Sequence, residues 1–191
     1  MTGDRPRNLH DALPPSPWIV RYAFLVDGDA RVLDIASGAG RHARFFARRG
    51  CRVVAVDRDR EALATLDGVA GIEARVADLE AGAWPLGDER YDAIIVANYL
   101  HRPLFPFLRA ALAPGGVLLY ETFARGNEAF GRPSRPDFLL EPNELFRLAE
   151  DQRLTVIAFE QGLVRDGRSA VVQRLAAVGP GRAWPPMLEP G

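Results

Sequence analysis

Five short apolar runs recur along this chain, and each ends at or close to a polar residue able to accept a hydrogen bond. They are Arg31 to Ala36 with Asp34, Arg52 to Val56 before Asp57, Ile72 to Ala77 before Asp78, Tyr91 to Ala97 before Asn98, and Val117 to Thr122 with Glu121. Segments with helical spacing fall between them, chiefly to Arg49, from Asp59 to Leu66 and from Pro103 to Leu112. Unbroken Val/Ile/Leu/Ala runs suit strands covered on both faces, as parallel strands are. Strands alternating with helices therefore predict an α/β fold, a doubly wound and mostly parallel sheet with helices on both faces. In such sheets ligands sit outside the carboxyl ends of the strands, where the strand order reverses. The five polar residues would meet there.

The first of these units is the most specific. Val32-Leu33-Asp34-Ile35-Ala36 breaks into Ser37-Gly38-Ala39-Gly40 and then takes up helical spacing until Gly50. A helix that begins on a glycine turn aims its free N–H groups at whatever the turn holds. Gly38-Ala39-Gly40-Arg41-His42-Ala43 satisfies the G-x-G-x-x-G/A dinucleotide pattern, with Asp57 near the distance of a ribose-binding acid. A nicotinamide or flavin cofactor and S-adenosylmethionine both remain open on that pattern. Asp34, four residues before Gly38, would repel a pyrophosphate but suits a ligand carrying an ammonium and a sulfonium. Asp78 stands where an adenine amino group could donate to it. Pro114-Gly115-Gly116 leads directly into the fifth run. The chain also closes on two strands, Leu154 to Phe159 and Ala170 to Ala176, joined by a hairpin-like link rather than by another helix.

In these ordered motifs the chain, over residues 16–177, resembles the class I S-adenosylmethionine-dependent methyltransferases. Asp34 through Gly40 looks like the family's first motif, Asp57 its ribose-binding acid, and Ala77-Asp78-Leu79 its adenine segment. Tyr91-Asp92 through Asn98 looks like its fourth-strand motif, and Leu112 through Gly116 its turn before strand five. Within the class, Asn98-Tyr99-Leu100-His101-Arg102-Pro103 and the compact length look most like small-molecule enzymes related to tellurite-resistance methyltransferases. The resemblance implies a Rossmann-like seven-stranded sheet with an antiparallel C-terminal edge strand. It implies S-adenosylmethionine as cofactor, S-adenosylhomocysteine as product, and contacts from Asp34, Ala36, Ser37, Gly38, Gly40, Asp57, Arg58, Asp78, Leu79 and Asn98. Asn98-Tyr99 is not the Asn/Asp-Pro-Pro-Tyr/Phe signature of methyltransferases acting on amino groups of nucleic acid or protein. A small-molecule acceptor is the expectation. The alternatives are an NAD(P)-dependent oxidoreductase and a non-catalytic protein that binds the same cofactor.

Composition narrows the rest. A formal net charge of -1 supplies no basic field for nucleic acid. All 24 basic residues are arginine, a pattern that also follows from codon bias. Cys51 is the only cysteine, which rules out an intrachain disulfide, and before a buried strand it reads as a small packed hydrophobe. The three histidines are scattered and no acids pair at ligand spacing, so no metal is expected. No apolar run reaches the ~18 to 20 residues of a membrane span, and residues 1–15 lack a signal-peptide core. A cytoplasmic protein is expected, with one domain over residues 1–178 (1–15 a loose lead-in), a Pro/Gly-rich tail over 179–191, and no prediction of oligomeric state.

For chemistry, His101, just past the fourth run, is the candidate base, with helix capping as its alternative. Tyr99 is a candidate pocket residue. Glu121 reads either as a second base or as a paired strand-end carboxylate, and His42 as a surface residue near the cofactor. Residues 124–141 form a long connection without an element of its own, a candidate lid. Its Arg125, Arg132 and Arg135, together with Arg102, would form an anion-binding rim for an anionic acceptor, or simply a solvated loop.

Overall fold

A computed structural model describes residues 13–165 and 169–188. Seven strands form one sheet in the order β3-β2-β1-β4-β5-β7-β6. They are β1 (Arg31–Ile35), β2 (Arg52–Asp57), β3 (Ile72–Val76), β4 (Tyr91–Ala97), β5 (Leu112–Phe123), β6 (Thr155–Val164) and β7 (Ala170–Val178). The first five are parallel. β7 runs antiparallel to both β5 and β6. The antiparallel strand thus lies one place in from the edge, and β6 is the edge. A short hairpin into β7 allows this, because β7 enters next to β5 and needs no helical crossover.

Alternation along β1 and β4 divides the core into two layers. Leu33, Ile35, Ile94 and Val96 join the cluster on one face, with α4 (Phe105–Ala111) and α5 (Glu144–Asp151). Val32, Ala93 and Ile95 join the other, beneath α1 (Pro17–Tyr22), α2 (Arg41–Arg48) and α3 (Arg60–Ala64). Asp34 has the parity of Val32 and so faces the α2 layer. Ser16 caps α1 by accepting from the Trp18 amide, and Asp59 caps α3 by accepting from Glu61 and Ala62.

Several local expectations shift. The run from Trp18 is a six-residue helix that tightens into a 3-10 turn over Ala23–Leu25. Strand assignment in β5 already starts at Leu112, with residues 113–116 bulged out of the pairing between Tyr91↔Leu112 and Ala93↔Val117. α5 starts at Glu144 rather than at Pro142, because Asn143 takes a left-handed conformation at φ 62. The link after β6 is shorter than expected, since the strand runs on through Gly162 to Val164. Gly179 and Pro180 continue the sheet, with Gly179 N–H donating to Gly116 at 2.7 Å and Gly115 N–H to Pro180 at 2.8 Å. Residues 1–12 of the lead-in and 189–191 of the tail lie outside the described residues. No helix among the described residues is long and apolar enough to cross a membrane.

Candidate functional site

The strand order reverses between β1 and β4, and a two-lobed cleft opens there at the carboxyl ends. One lobe, about 350 Å³, is lined by Asp57, Arg58, Asp78, Leu79, Glu80 and Tyr99, with further walls from Thr122, Phe123, Pro133 and Phe138. The other, about 430 Å³, is lined by Asp34, Ser37, Gly38, Arg41, His42 and Asp59, with Leu13 at its mouth. Ala36, Asp57 and Asn98 line both. Of the ten residues expected to contact the cofactor, nine line the cleft; Gly40 does not. Ala36 and Asn98, the residues just past β1 and β4, have φ of 51 and 58. Left-handed backbone at non-glycine residues is costly and collects at ligand sites.

The two glycines of the turn do different work. A Cβ on Gly38, at φ 53, would meet nothing within 4 Å, so the turn keeps that space open toward the second lobe. A Cβ on Gly40, at φ 73, would stand 2.6 Å from Leu66 Cδ2. Gly40 is a packing requirement, whereas Gly38 lines the second lobe with open space at its Cβ position.

Asp34 is 1% exposed, and its carboxylate accepts from the Ala43 amide at 3.0 Å in the first turn of α2. Burial raises its pKa from 3.8 to about 7, further than the Ala43 hydrogen bond and Arg41 pull it back, and Asp57 adds repulsion. Arg41 itself is pushed down by burial, while Glu121 and Asp34 act in the other direction. Asp57 accepts from Gly38 N–H at 2.8 Å and from Asp59 N–H at 2.9 Å. It thereby ties the end of β2 to the glycine turn and keeps lone pairs for a ligand. Asp78 accepts from Glu80 N–H at 2.8 Å, which shapes the turn that carries Leu79.

Among the described residues, two buried side-chain polar atoms have no partner, Ser37 Oγ and Tyr99 OH. Ser37 lines one lobe and Tyr99 the other. Burial pushes the Tyr99 phenol well above its usual range, with Glu80 adding to the effect. Leaving such groups unpaired costs free energy, and a polar ligand in the cleft removes that cost. The acidic set, the open Cβ position at Gly38 and the two orphaned hydroxyls fit a cationic, hydroxyl-bearing adenosyl ligand. Asp34 at the turn does not fit a pyrophosphate.

Other expected residues are placed differently. His101 lines neither lobe; its carbonyl accepts the Leu104 N–H that starts the 3-10 turn Arg102–Leu104. Glu121 is paired with Arg174 of β7. His42 is 3% exposed rather than on the surface, and its Nε2 accepts the Ser16 amide at 3.1 Å. The ring is therefore neutral, and burial lowers its pKa to about 3. Cys51 is buried, with Sγ 3.4 Å from the Asp27 carbonyl.

Segment 124–141 is not featureless. It contains two 3-10 turns, Asn127–Ala129 and Pro136–Phe138, and its ends close through an Ala124↔Leu140 bridge. Asn127, 2% exposed, donates to the Pro133 carbonyl and accepts from Val171. Arg102 holds the segment to α5 through Glu144 and to itself through the carbonyls of Asp137 and Leu139. Arg125 and Arg135 pair with Glu141 and Asp137. None of the four arginines lines the cleft, so the anion-binding rim is not assembled. Sequence reasoning gave no site role to Leu13, Arg41, Glu80, Phe123, Pro133 or Phe138. No spacing marked Pro133 or Phe138, because the tertiary path of segment 124–141 brings them in.

Residues 32–116 match the family model described as a methyltransferase domain. No curated protein matches the sequence. Among solved structures, TehB from Haemophilus influenzae superposes with a TM-score of 0.70 at 18% identity, over 84% of this chain. The chain spans 61% of TehB's length. An S-adenosylmethionine dependent methyltransferase from Mesorhizobium loti gives 0.67 at 17% identity, over 84% of this chain and 96% of that one. The 1,6-didemethyltoxoflavin-N1-methyltransferase of Burkholderia thailandensis, with bound 1,6-didemethyltoxoflavin and S-adenosylhomocysteine, gives 0.60 at 18% identity, over 83% and 79%. Strand order and structural likeness agree: the chain has the fold of the class I S-adenosylmethionine-dependent methyltransferases, and residues 32–116 are similar to the methyltransferase-domain model.

Proposed function

We propose that the protein transfers a methyl group from S-adenosylmethionine to a small-molecule acceptor. The observation that carries this reading is the convergence, in one cleft at the β1/β4 switch, of Asp34, Asp57 and Asp78 with the orphaned hydroxyls of Ser37 and Tyr99. Asp57 would take the ribose hydroxyls, and Asp78 with Leu79 the adenine edge. Asp34, Ser37 and the backbone at Gly38 would take the amino-acid end. Tyr99, which shares its lobe with Glu80, Asp78 and Leu79, would serve the adenosine rather than proton transfer. When bound, the cofactor supplies a methyl group on a sulfonium, which is an excellent leaving group.

The chain then has to align and dry the site. Strand-end backbone at Ala36 and Asn98 fixes the floor, and segment 124–141 brings Pro133 and Phe138 over it. Positioning of this kind lowers a barrier by roughly 7 to 11 kcal/mol. His101 and Glu121 line neither lobe, and Glu121 is paired to Arg174, so neither candidate base stands at the cleft. An acceptor already carrying a free lone pair needs none. The similar 1,6-didemethyltoxoflavin-N1-methyltransferase, solved with 1,6-didemethyltoxoflavin bound, supports a small-molecule acceptor. Stabilisation by S-adenosylhomocysteine but not by NAD(P) in a thermal-shift panel tests the cofactor. Label transfer from methyl-tritiated S-adenosylmethionine to an acceptor separates an enzyme from a binding protein.

A further inference from the structure

We infer that the acceptor is an uncharged, planar, ring-bearing molecule held against Phe138 and Phe123, and that the site discriminates against anions. The inference rests on the methyltransferase reading. β3 and β5 stand four strand spacings apart, roughly 19 Å, which is more than an adenosine needs. With the adenosine on Asp57, Asp78 and Leu79, the β5 side of the first lobe is left for a second molecule. That side is built from Thr122, Phe123, Pro133 and Phe138.

Its chemistry is apolar and flat. Phe138 is 41% exposed although it stands at the cavity wall, and the Arg135 guanidinium lies over its ring, 5.4 Å from the centroid. Pro133 is fixed by the Asn127 side chain, which accepts from Val171 and donates to the Pro133 carbonyl at 2.9 Å. The backbone flanking Phe138 is fixed by Arg102, whose guanidinium takes the Asp137 and Leu139 carbonyls at 2.8 and 3.0 Å. A rigid apolar wall favours a rigid ring, because neither partner loses much freedom on contact.

Charge excludes the opposite class. The same lobe presents the carboxylates of Asp57, Asp78 and Glu80 against one guanidinium, Arg58. The arginines that would reverse this balance are held by Glu144, Glu141 and Asp137, and Arg132 is not among the lining residues. An anion entering this lobe meets a lining of net negative charge, which costs affinity.

The test uses the full chain saturated with S-adenosylhomocysteine and titrated calorimetrically with naphthol and with naphthoate, two rings of the same size that differ in charge. Naphthol is expected to bind and naphthoate to bind at least tenfold more weakly. In Phe138→Ala, naphthol affinity falls roughly tenfold while S-adenosylhomocysteine affinity stays within about twofold. Equal or tighter binding of naphthoate overturns the inference, as does failure of both rings to bind or a Phe138→Ala effect confined to the cofactor. Failure of S-adenosylhomocysteine itself to bind is a separate result, which removes the methyltransferase reading beneath it.

Discussion

Asp34→Asn separates what the cleft needs from what the fold would prefer. The carboxyl is 1% exposed and burial raises its pKa from 3.8 to about 7. The folded chain therefore holds a proton that the unfolded chain releases, so stability is highest below about pH 4 and falls as pH rises toward and through 7. A shift of about three units corresponds to roughly 4 kcal/mol once both states are ionised. Between pH 5 and pH 8 the wild type should lose about 2 to 3 kcal/mol from this group. Asparagine keeps an oxygen for the Ala43 amide and does not titrate. Urea unfolding at a series of pH values should show Asp34→Asn gaining on the wild type by that amount across the window. Cofactor affinity in Asp34→Asn should fall most above about pH 7, where the wild type carries the carboxylate that partners the ammonium, and the gap should close as pH falls. In the wild type, S-adenosylhomocysteine affinity should rise with pH up to about 7, as Asp34 ionises. A stability difference that stays flat from pH 5 to 8 would refute the account of Asp34 as a buried, desolvated carboxyl.

The remaining expectations concern the turn, the strap and the loop. Gly40→Ala should cost about 2 to 4 kcal/mol in chemical unfolding, from a left-handed Cβ and its collision with Leu66. Gly38→Ala should cost only about 1 kcal/mol yet lose most cofactor binding by calorimetry. His42, neutral with a pKa lowered to about 3, gives stability that is complete above pH 6.5 and drains away as pH falls toward 3. His42→Gln should flatten that acid limb. Arg102→Lys should not rescue the loss of stability in Arg102→Ala, since one ammonium nitrogen lacks the span by which Nε, Nη1 and Nη2 separately reach Glu144 and the two carbonyls.

The parts of the fold legible in the sequence are those with short-range causes. β1, β2 and β4 are continuous apolar runs closed by polar residues, and their elements fall where the runs do. The gathering of three acids in one cleft was legible for the same reason: Asp34, Asp57 and Asp78 lie at or near strand ends, and a parallel sheet gathers strand ends. The walls contributed by segment 124–141 were not. Phe138 and Pro133 reach the cavity because Arg102 and Asn127 fold segment 124–141 back on itself, a tertiary event with no period in the sequence. The same limit explains His42, whose burial depends on Ser16, which is 26 positions away. It also explains the arginines of the loop, whose carboxylate partners could not be assigned from composition. G-x-G-x-x-A looked uniform as a motif, but a Cβ would meet open space at Gly38 and Leu66 at Gly40.

The central claim is that this cleft holds an S-adenosyl ligand through Asp57. Titrating S-adenosylhomocysteine and NAD(P) into the wild type and Asp57→Ala while following thermal unfolding tests it most directly. At a ligand concentration of about 100 times Kd the wild type should gain about 2.7 kcal/mol, a Tm increase of roughly 5 to 10 °C for a chain of this size. NAD(P) should give none, and Asp57→Ala should lose most of the increase. Stabilisation by NAD(P) instead, or an Asp57→Ala variant that responds to S-adenosylhomocysteine as the wild type does, would contradict the account.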